Sequence, residues 1–92
     1  MTVGVVGLGL IGGSVGLALR EPGRTILGCD AAPTNERLAA ERFCVDRIAP
    51  LEEVAKADVV FIAVPPAAIS ATLDAIAPLR GEETIVTDCA SV

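Results

Sequence analysis

The sequence contains no histidine, tryptophan or tyrosine, and Phe43 and Phe61 are its only aromatic residues. Without histidine, the chain lacks the side chain that most often acts as a general acid or base near neutral pH. The three cysteines have no CxxC spacing and no histidine to join them, which argues against a metal site and against a disulfide framework. We therefore expect Cys29, Cys44 and Cys89 to be reduced, buried thiols in a cytoplasmic protein.

Positive charge is also scarce, since 7 lysine and arginine residues stand against 12 aspartates and glutamates, for a net charge of −5. A chain without a basic patch cannot neutralise the phosphates of a duplex, so nucleic acid is not an expected partner. Residues 1–19 carry no charged side chain and are long enough to raise the question of a membrane span, but their many glycines favour a strand and a tight turn. The uncharged stretch 59–73 is shorter and is broken by two prolines. No membrane span is predicted, and the lack of a basic start to the chain predicts no signal peptide.

The chain is rich in aliphatic residues. They form short apolar runs that alternate with segments in which apolar residues recur at helical spacing. Apolar residues make up 52% of the sequence, which supplies a core for one small domain. Strands are predicted at residues 2–6, 25–29, 45–48, 59–64 and 83–88. Helices are predicted at residues 10–20, at 34–43 with Thr34 as the cap, from Pro50, and from Pro66 to near Pro78.

This alternation predicts an α/β fold with parallel strands and right-handed crossovers. Strand 59–64 is the most apolar and is expected at the centre of the sheet. In helix 10–20, the residues expected to face the core are Ile11, Val15, Ala18 and Leu19. A doubly wound sheet normally continues beyond a fifth strand, so residues 1–92 are expected to form a single Rossmann-type domain that is truncated there.

The segment Gly7-Leu8-Gly9-Leu10-Ile11-Gly12 fits the pattern GxGxxG between a predicted strand and a predicted helix. Gly7 permits the sharp turn out of the strand, and Gly9 lacks a Cβ, so a pyrophosphate can approach the backbone. Gly12 lets the helix lie close to the strand. Free N–H groups near Leu10 and Ile11 are then expected to point at the phosphates, with the helix dipole adding to the attraction.

Asp30 follows the second predicted strand, 18 residues beyond Gly12, where a carboxylate accepts hydrogen bonds from the adenosine ribose. Its negative charge repels a 2′-phosphate, and no arginine follows directly, so NAD is predicted over NADP. Asp also begins many turns without binding anything, and that alternative remains open. The segment Ala63-Val64-Pro65-Pro66 ends the fourth strand, where it could either line a ligand or simply stop the strand.

Four segments together resemble the prephenate and arogenate dehydrogenase family: VGVVGLGLIGGS at residues 3–14, GCD at 28–30, AVPP at 63–66 and TDCASV at 87–92. The run GLGLIGGS and the final D-x-x-S-V are the more specific features. The resemblance covers the whole chain but only the cofactor half of the family's enzyme. It implies oxidative decarboxylation of prephenate to 4-hydroxyphenylpyruvate with NAD, a step of tyrosine biosynthesis.

The resemblance also implies roles for individual residues. It matches Gly7, Gly9 and Gly12 to the pyrophosphate loop and Asp30 to the ribose carboxylate. It matches Val64 and Pro65 to the strand end that lines the cofactor. Ser91 matches a serine that orients the substrate hydroxyl beside a catalytic histidine, although a loop or helix cap is an equal alternative.

The chain departs from the family's pattern because it has no histidine. The family's C-terminal substrate and dimerisation domain, which binds prephenate or arogenate and forms the homodimer, is also absent from these 92 residues. The alternatives are a stand-alone nucleotide-binding module without catalysis, or the cofactor domain of a related reductase such as pyrroline-5-carboxylate reductase or a β-hydroxyacid dehydrogenase.

Overall fold

The computed structural model describes residues 1–89, which form one parallel sheet with helices on both faces. The strands are β1 (Thr2–Val6), β2 (Thr25–Cys29), β3 (Arg47–Ile48), β4 (Val59–Ile62) and β5 (Ile85–Asp88). The helices are α1 (Leu10–Ala18), α2 (Pro33–Glu41), α3 (Leu51–Val54) and α4 (Ile69–Ile76), and a 3₁₀ turn at Pro66–Ala68 precedes α4. The predicted α/β class and parallel sheet are confirmed.

The strand order is β3-β2-β1-β4-β5, and every neighbouring pair is parallel. The strand at the centre is therefore β1, and the prediction that the strand of residues 59–64 lies there is wrong. After β3 the chain returns to the other side of β1, so the order reverses between β1 and β4. In open parallel sheets, ligands bind at this switch point, outside the carboxyl ends of the strands.

Two apolar clusters, one on each face of the sheet, form the core because neighbouring residues of a strand point to opposite faces. Val3 and Val5 of β1 belong to the cluster that α1 and α2 cover, whereas Val6 belongs to the cluster that α3 and α4 cover. In β2, Ile26 belongs to the cluster that α1 and α2 cover, and Leu27 belongs to the cluster that α3 and α4 cover. This two-sided core is what a doubly wound fold requires.

Helix α1 differs from its prediction because its buried residues are Gly12, Gly13 and Gly16. Of the four residues expected to face the core, Val15 and Leu19 are half-buried, whereas Ile11 and Ala18 are exposed. A Cβ on Gly16 would overlap the carbonyl oxygen of Cys44. The helix lies so close to the rest of the chain that glycine replaces the large apolar side chains that a buried face normally carries.

Element boundaries also differ from the predictions, and most elements are shorter. Strand β3 has two residues rather than four, β4 ends at Ile62 and β5 begins at Ile85. Helix α2 begins at Pro33 with Ala32 as its N-cap, so the prediction that Thr34 caps it is wrong. Within residues 1–89, no helix is long and apolar enough to cross a membrane.

Candidate functional site

A cleft of about 1090 Å³ opens at the carboxyl ends of the strands, at the switch point between β1 and β4. The cleft is lined by the loop after β1, by the ends of β2 and β4, and by small residues of α4. The predicted site residues that line the cleft are Gly7, Gly9, Leu10, Ile11, Asp30, Val64 and Pro65. The fold therefore brings together segments that are distant in the sequence.

Gly7 makes the turn between β1 and α1. Its φ of 97° lies in the left-handed region that favours glycine, and a Cβ there would approach the Ala63 carbonyl oxygen to 2.7 Å. Its own N–H donates a 2.9 Å hydrogen bond to the carbonyl oxygen of Cys29. Gly12 holds α1 against this turn, because a Cβ on Gly12 would overlap the Gly7 carbonyl oxygen. Both glycines are thus required for the shape of the loop.

Gly9 differs from the other loop glycines because a Cβ built on it would meet no protein atom within 4 Å. Its φ is −73°, which any residue can adopt, so the fold itself does not require glycine at this position. Gly9 is the N-cap of α1, and no side chain caps the helix there. The first N–H groups of a helix have no acceptor within the helix, so those of Leu10 and Ile11 are available to a ligand in the cleft.

Asp30 lies directly after β2 and bridges three parts of the cleft wall. Its Oδ2 accepts hydrogen bonds from the Leu8 N–H at 2.6 Å and from Asn35 Nδ2 at 3.3 Å. Its Oδ1 accepts one from the Ala32 N–H at 2.7 Å. The sequence predicted a ligand-binding carboxylate here but gave no sign that the same group fixes the glycine loop to the start of α2.

Glu36 is a cleft residue that the sequence analysis missed. It lies in the first turn of α2, lines the cleft and is half-buried, and its Oε2 accepts a hydrogen bond from the Asp30 N–H at 3.2 Å. The available signal was an acid in the first turn of a helix that starts three residues after Asp30. Such an acid is common in helices for its effect on the dipole, so the pattern alone did not single it out.

The two cysteines that line the cleft, Cys29 and Cys89, both have raised thiol pKa values. Burial raises the pKa of Cys29 to about 11, and the nearby carboxylates of Glu36, Asp30 and Glu52 add to the effect, in decreasing order. Burial, and then the charge of Asp88, raises the pKa of Cys89. All three cysteines are free, and Cys44 and Cys89 are buried, but Cys29 is only partly buried, contrary to the prediction of a buried thiol.

Val64 and Pro65 lie at the end of β4, on the side of the cleft opposite Asp30 and α2, because β1 separates β4 from β2. Ser91, the residue expected near the substrate, lies outside the described residues. Among residues 1–89, no group of three or more His, Cys, Asp or Glu side chains could hold a metal ion.

The family model for the nucleotide-binding domain of prephenate dehydrogenase matches residues 15–92. The chain belongs to this family. The match begins after the glycine loop, but structural similarity covers the loop as well. Arogenate dehydrogenase of Synechocystis is 38% identical, with a TM-score of 0.91 over 100% of this chain and 34% of that one. No curated protein sequence matches this chain.

Two further solved structures show how widely the fold is shared. Prephenate dehydrogenase from A. aeolicus, in complex with hydroxyphenyl propionate and NAD⁺, is 26% identical with a TM-score of 0.88, covering 100% of this chain and 34% of that one. A 3-hydroxyisobutyrate dehydrogenase from Mycobacterium tuberculosis is also 26% identical, with a TM-score of 0.83 over 97% of this chain and 31% of that one. This chain spans about a third of the length of each of these enzymes. The predicted resemblance to the prephenate and arogenate dehydrogenase family is confirmed.

Proposed function

We propose that residues 1–92 are the NAD-binding domain of an oxidoreductase that oxidises and decarboxylates prephenate or arogenate. The observation that carries the proposal is the position of the glycine loop and Asp30 on one cleft at the switch point of the sheet. The structural similarity to a prephenate dehydrogenase in complex with NAD⁺ supports the choice of cofactor.

The cleft residues fit a dinucleotide in three places. The pyrophosphate would lie against the uncapped start of α1, where Gly9 leaves open space and the N–H groups of Leu10 and Ile11 are available. Asp30 would accept from the adenosine ribose, because a carboxylate offers about four lone-pair sites and the protein uses three of them. Val64 and Pro65 would line the other half of the cofactor.

The nicotinamide, when bound, supplies the hydride acceptor for oxidation of a hydroxyl-bearing carbon. The residues of this chain would bind and orient it, and Val64 and Pro65 would give it an apolar surface after β4. Removal of the hydroxyl proton requires a base, for which neutral histidine is suited near pH 7. Since these 92 residues contain no histidine, the proposal assigns the base, the substrate site and the homodimer contact to a separate C-terminal domain of a cytoplasmic enzyme. Within this chain, Ser91 is the residue proposed to orient the substrate hydroxyl.

Calorimetric titration of the 92-residue chain with NAD and with NADP tests the proposal. We expect NAD to bind more tightly, because Asp30 accepts from a free 2′-hydroxyl and repels a 2′-phosphate. AMP and nicotinamide mononucleotide, each half of the cofactor, serve as controls and should both bind more weakly than NAD. Absence of NAD binding to the folded chain, or equal affinity for NADP, would contradict the proposal.

A second candidate is the cofactor domain of a β-hydroxyacid dehydrogenase, which the similarity to 3-hydroxyisobutyrate dehydrogenase favours. Both candidates use the same cleft and the same nucleotide, so titration of the chain does not separate them. The coding sequence downstream of residue 92 separates the two candidates. A histidine in an H-P-M-x-G-like context there would support a prephenate or arogenate dehydrogenase, and its absence would favour the alternatives.

A further inference from the structure

The amino end of α2 is the natural place for an additional phosphate in this cleft. It follows Asp30 after two residues, and Asp30 is the residue proposed to bind the adenosine ribose. Helix amino ends attract phosphates through unpaired N–H groups and through the helix dipole. A 2′-phosphate on that ribose would therefore be favoured at this helix end unless other groups prevented it.

Most of the hydrogen-bond donors at this helix end are already used or missing. Pro33, the first residue of α2, has no N–H. The Ala32 N–H donates to Asp30 Oδ1 at 2.7 Å. The N–H groups of Asn35 and Glu36 donate to the Ala32 carbonyl oxygen at 3.0 and 3.3 Å. A phosphate would find few donors here, and binding it would break hydrogen bonds that the protein already makes.

Glu36 adds a negative charge to this arrangement. Its carboxylate reaches back over the first turn of α2, and Oε2 lies 3.2 Å from the Asp30 nitrogen. Within residues 1–89, the ion pairs of the protein involve neither Glu36 nor Asp30. Both carboxylates therefore face the cleft without an arginine or lysine to neutralise them.

We propose that Glu36 is the residue that prevents a phosphate from binding at the start of α2, and that it acts together with Asp30 to select NAD over NADP. Asp30 distinguishes the two cofactors by accepting from the free 2′-hydroxyl. Glu36 distinguishes them by repulsion, since its charge offsets the helix dipole at the position of the added phosphate. The inference rests on the proposed binding of NAD in this cleft.

Cys29 gives independent support, because its thiol reports the electrostatic potential at this end of the cleft. Burial is the largest cause of the raised pKa of the thiol, and among the neighbouring charges Glu36 contributes most, followed by Asp30 and then Glu52. A negative potential that disfavours a thiolate disfavours a phosphate for the same reason. Glu36 is therefore the strongest charged contributor to the potential at Cys29.

The test compares Glu36→Gln with Glu41→Gln in the 92-residue chain. Glu41 is the matched control because it ends the same helix, is exposed and does not line the cleft. The amide oxygen of the Glu36→Gln variant can still accept from the Asp30 N–H, so the change removes charge and keeps shape. By calorimetry, we expect Glu36→Gln to shift the ratio of NADP affinity to NAD affinity toward NADP by about fivefold or more relative to the parent. Glu41→Gln should bind NAD and NADP with the same affinities as the parent.

A second readout needs no nucleotide. The alkylation rate of Cys29 as a function of pH, followed by peptide mass spectrometry, should give a lower thiol pKa in Glu36→Gln than in Glu41→Gln. The ratio of NAD to NADP affinity also remains meaningful if a variant is partly unfolded, because both ligands bind the same folded molecules.

The outcomes separate this inference from the proposed function. If the parent binds NAD and the affinity ratio in Glu36→Gln equals that in Glu41→Gln, the role of Glu36 is overturned and the NAD-binding function stands. If the folded parent binds neither dinucleotide, both are overturned. A ratio that shifts toward NADP only in Glu36→Gln supports the inference.

Discussion

At the scale of single residues, the loop glycines that look equivalent in the sequence have different roles. Gly7 and Gly12 are required by the fold, since a Cβ on either would contact backbone atoms of the loop or of Ala63 too closely. Gly9 has open space and an ordinary φ, so the fold does not require its lack of a side chain, and the proposed pyrophosphate contact is what would require it. The motif GxGxxG predicts all three positions, but only the structure separates the roles.

Gly9→Ala should leave the fold unchanged and weaken NAD binding at least tenfold, about 1.4 kcal/mol. The added methyl group meets no protein atom but would occupy the space where the pyrophosphate approaches the backbone. Thermal melting followed by circular dichroism checks the fold, and calorimetry checks the affinity. Gly13→Ala is the matched control, because Gly13 lies on the same helix and does not line the cleft. A folded Gly9→Ala protein that binds NAD as tightly as the parent would show that the pyrophosphate lies elsewhere.

Asp30→Ala should both destabilise the protein and reduce, without abolishing, its preference for NAD. Removing the carboxylate leaves the Leu8 and Ala32 N–H groups without their acceptor, at a cost of about 1–3 kcal/mol. The preference for NAD over NADP is expected to decrease because the Asp30 carboxylate is lost from the proposed ribose site, and it is expected to persist in part because Glu36 remains. Thermal melts and paired titrations with NAD and NADP measure the two effects.

Asp58→Ala is the control for this change, because Asp58 also accepts a backbone hydrogen bond, from the Thr2 N–H at 2.8 Å, but does not line the cleft. It should lower stability and leave the cofactor ratio unchanged. An Asp30→Ala protein with the parent's cofactor ratio would remove Asp30 from the selection of NAD.

The sequence predicted the position of Asp30 because the distance from the glycine loop depends only on the lengths of one helix and one strand. It did not predict the hydrogen bond from the Asp30 N–H to Glu36 or the one from the Leu8 N–H to Asp30. Both depend on where a carboxylate lies relative to a backbone N–H of another segment, and the spacing of residues along the chain does not specify such contacts.

At the scale of elements, α1 shows why hydrophobic periodicity did not predict which residues of this helix are buried. The pattern assumes that the buried face carries the large apolar side chains. Here the helix approaches the Gly7 turn and the backbone of Cys44 so closely that only glycine fits. The large residues are displaced outward, and Leu10, which lines the cleft, is 89% exposed.

Gly16→Ala should therefore destabilise the protein, although alanine favours helices. A Cβ on Gly16 would overlap the Cys44 carbonyl oxygen, and relieving such an overlap costs about 1–3 kcal/mol. Each kcal/mol corresponds to roughly 4–8 °C in melting temperature for a domain of this size. Gly13→Ala is the control, because its Cβ would lie 3.4 Å from the Cys44 sulfur, an ordinary contact. Equal melting temperatures for the two variants would contradict this account of the packing.

The strand ends also have a physical reason that the sequence did not show. Strand β4 ends at Ile62 because β1, its partner, ends at Val6, where Gly7 turns the chain away. Strand β5 begins at Ile85 because Val59, the first residue of its partner β4, lies opposite Ile85. Strand lengths thus depend on where the partner strand stops, and apolar runs alone extend too far.

At the scale of the whole molecule, the alternation of strands and helices predicted the parallel, two-sided sheet. It did not predict that β1 is central, because strand order depends on which side of β1 the chain returns to after β3. That return creates the cleft, in which residues from every quarter of the chain meet. Binding of a dinucleotide is consequently a property of the entire domain.

Catalysis by this domain alone would need a base as well as a bound cofactor. Hydride transfer from a hydroxyl-bearing carbon needs a base for the hydroxyl proton, and the 92 residues offer no histidine. Within residues 1–89, the carboxylates of the cleft, Asp30 and Glu36, lie at the ribose end as proposed and not beside Val64 and Pro65. The domain is therefore expected to hold the cofactor without a group that could complete the reaction.

The purified 92-residue chain, mixed with NAD and either prephenate or arogenate, should give no increase in NADH absorbance above the blank. Arogenate dehydrogenase of Synechocystis, which is about three times as long, serves as the positive control for the assay with arogenate and its own nucleotide. Any signal should be compared with that of the Gly9→Ala variant, which is expected to bind NAD poorly. A rate that is equal in both preparations comes from a contaminant. A rate that the parent shows and Gly9→Ala loses would mean that this domain catalyses the reaction without histidine, and the assignment of the base to a separate domain would then be wrong.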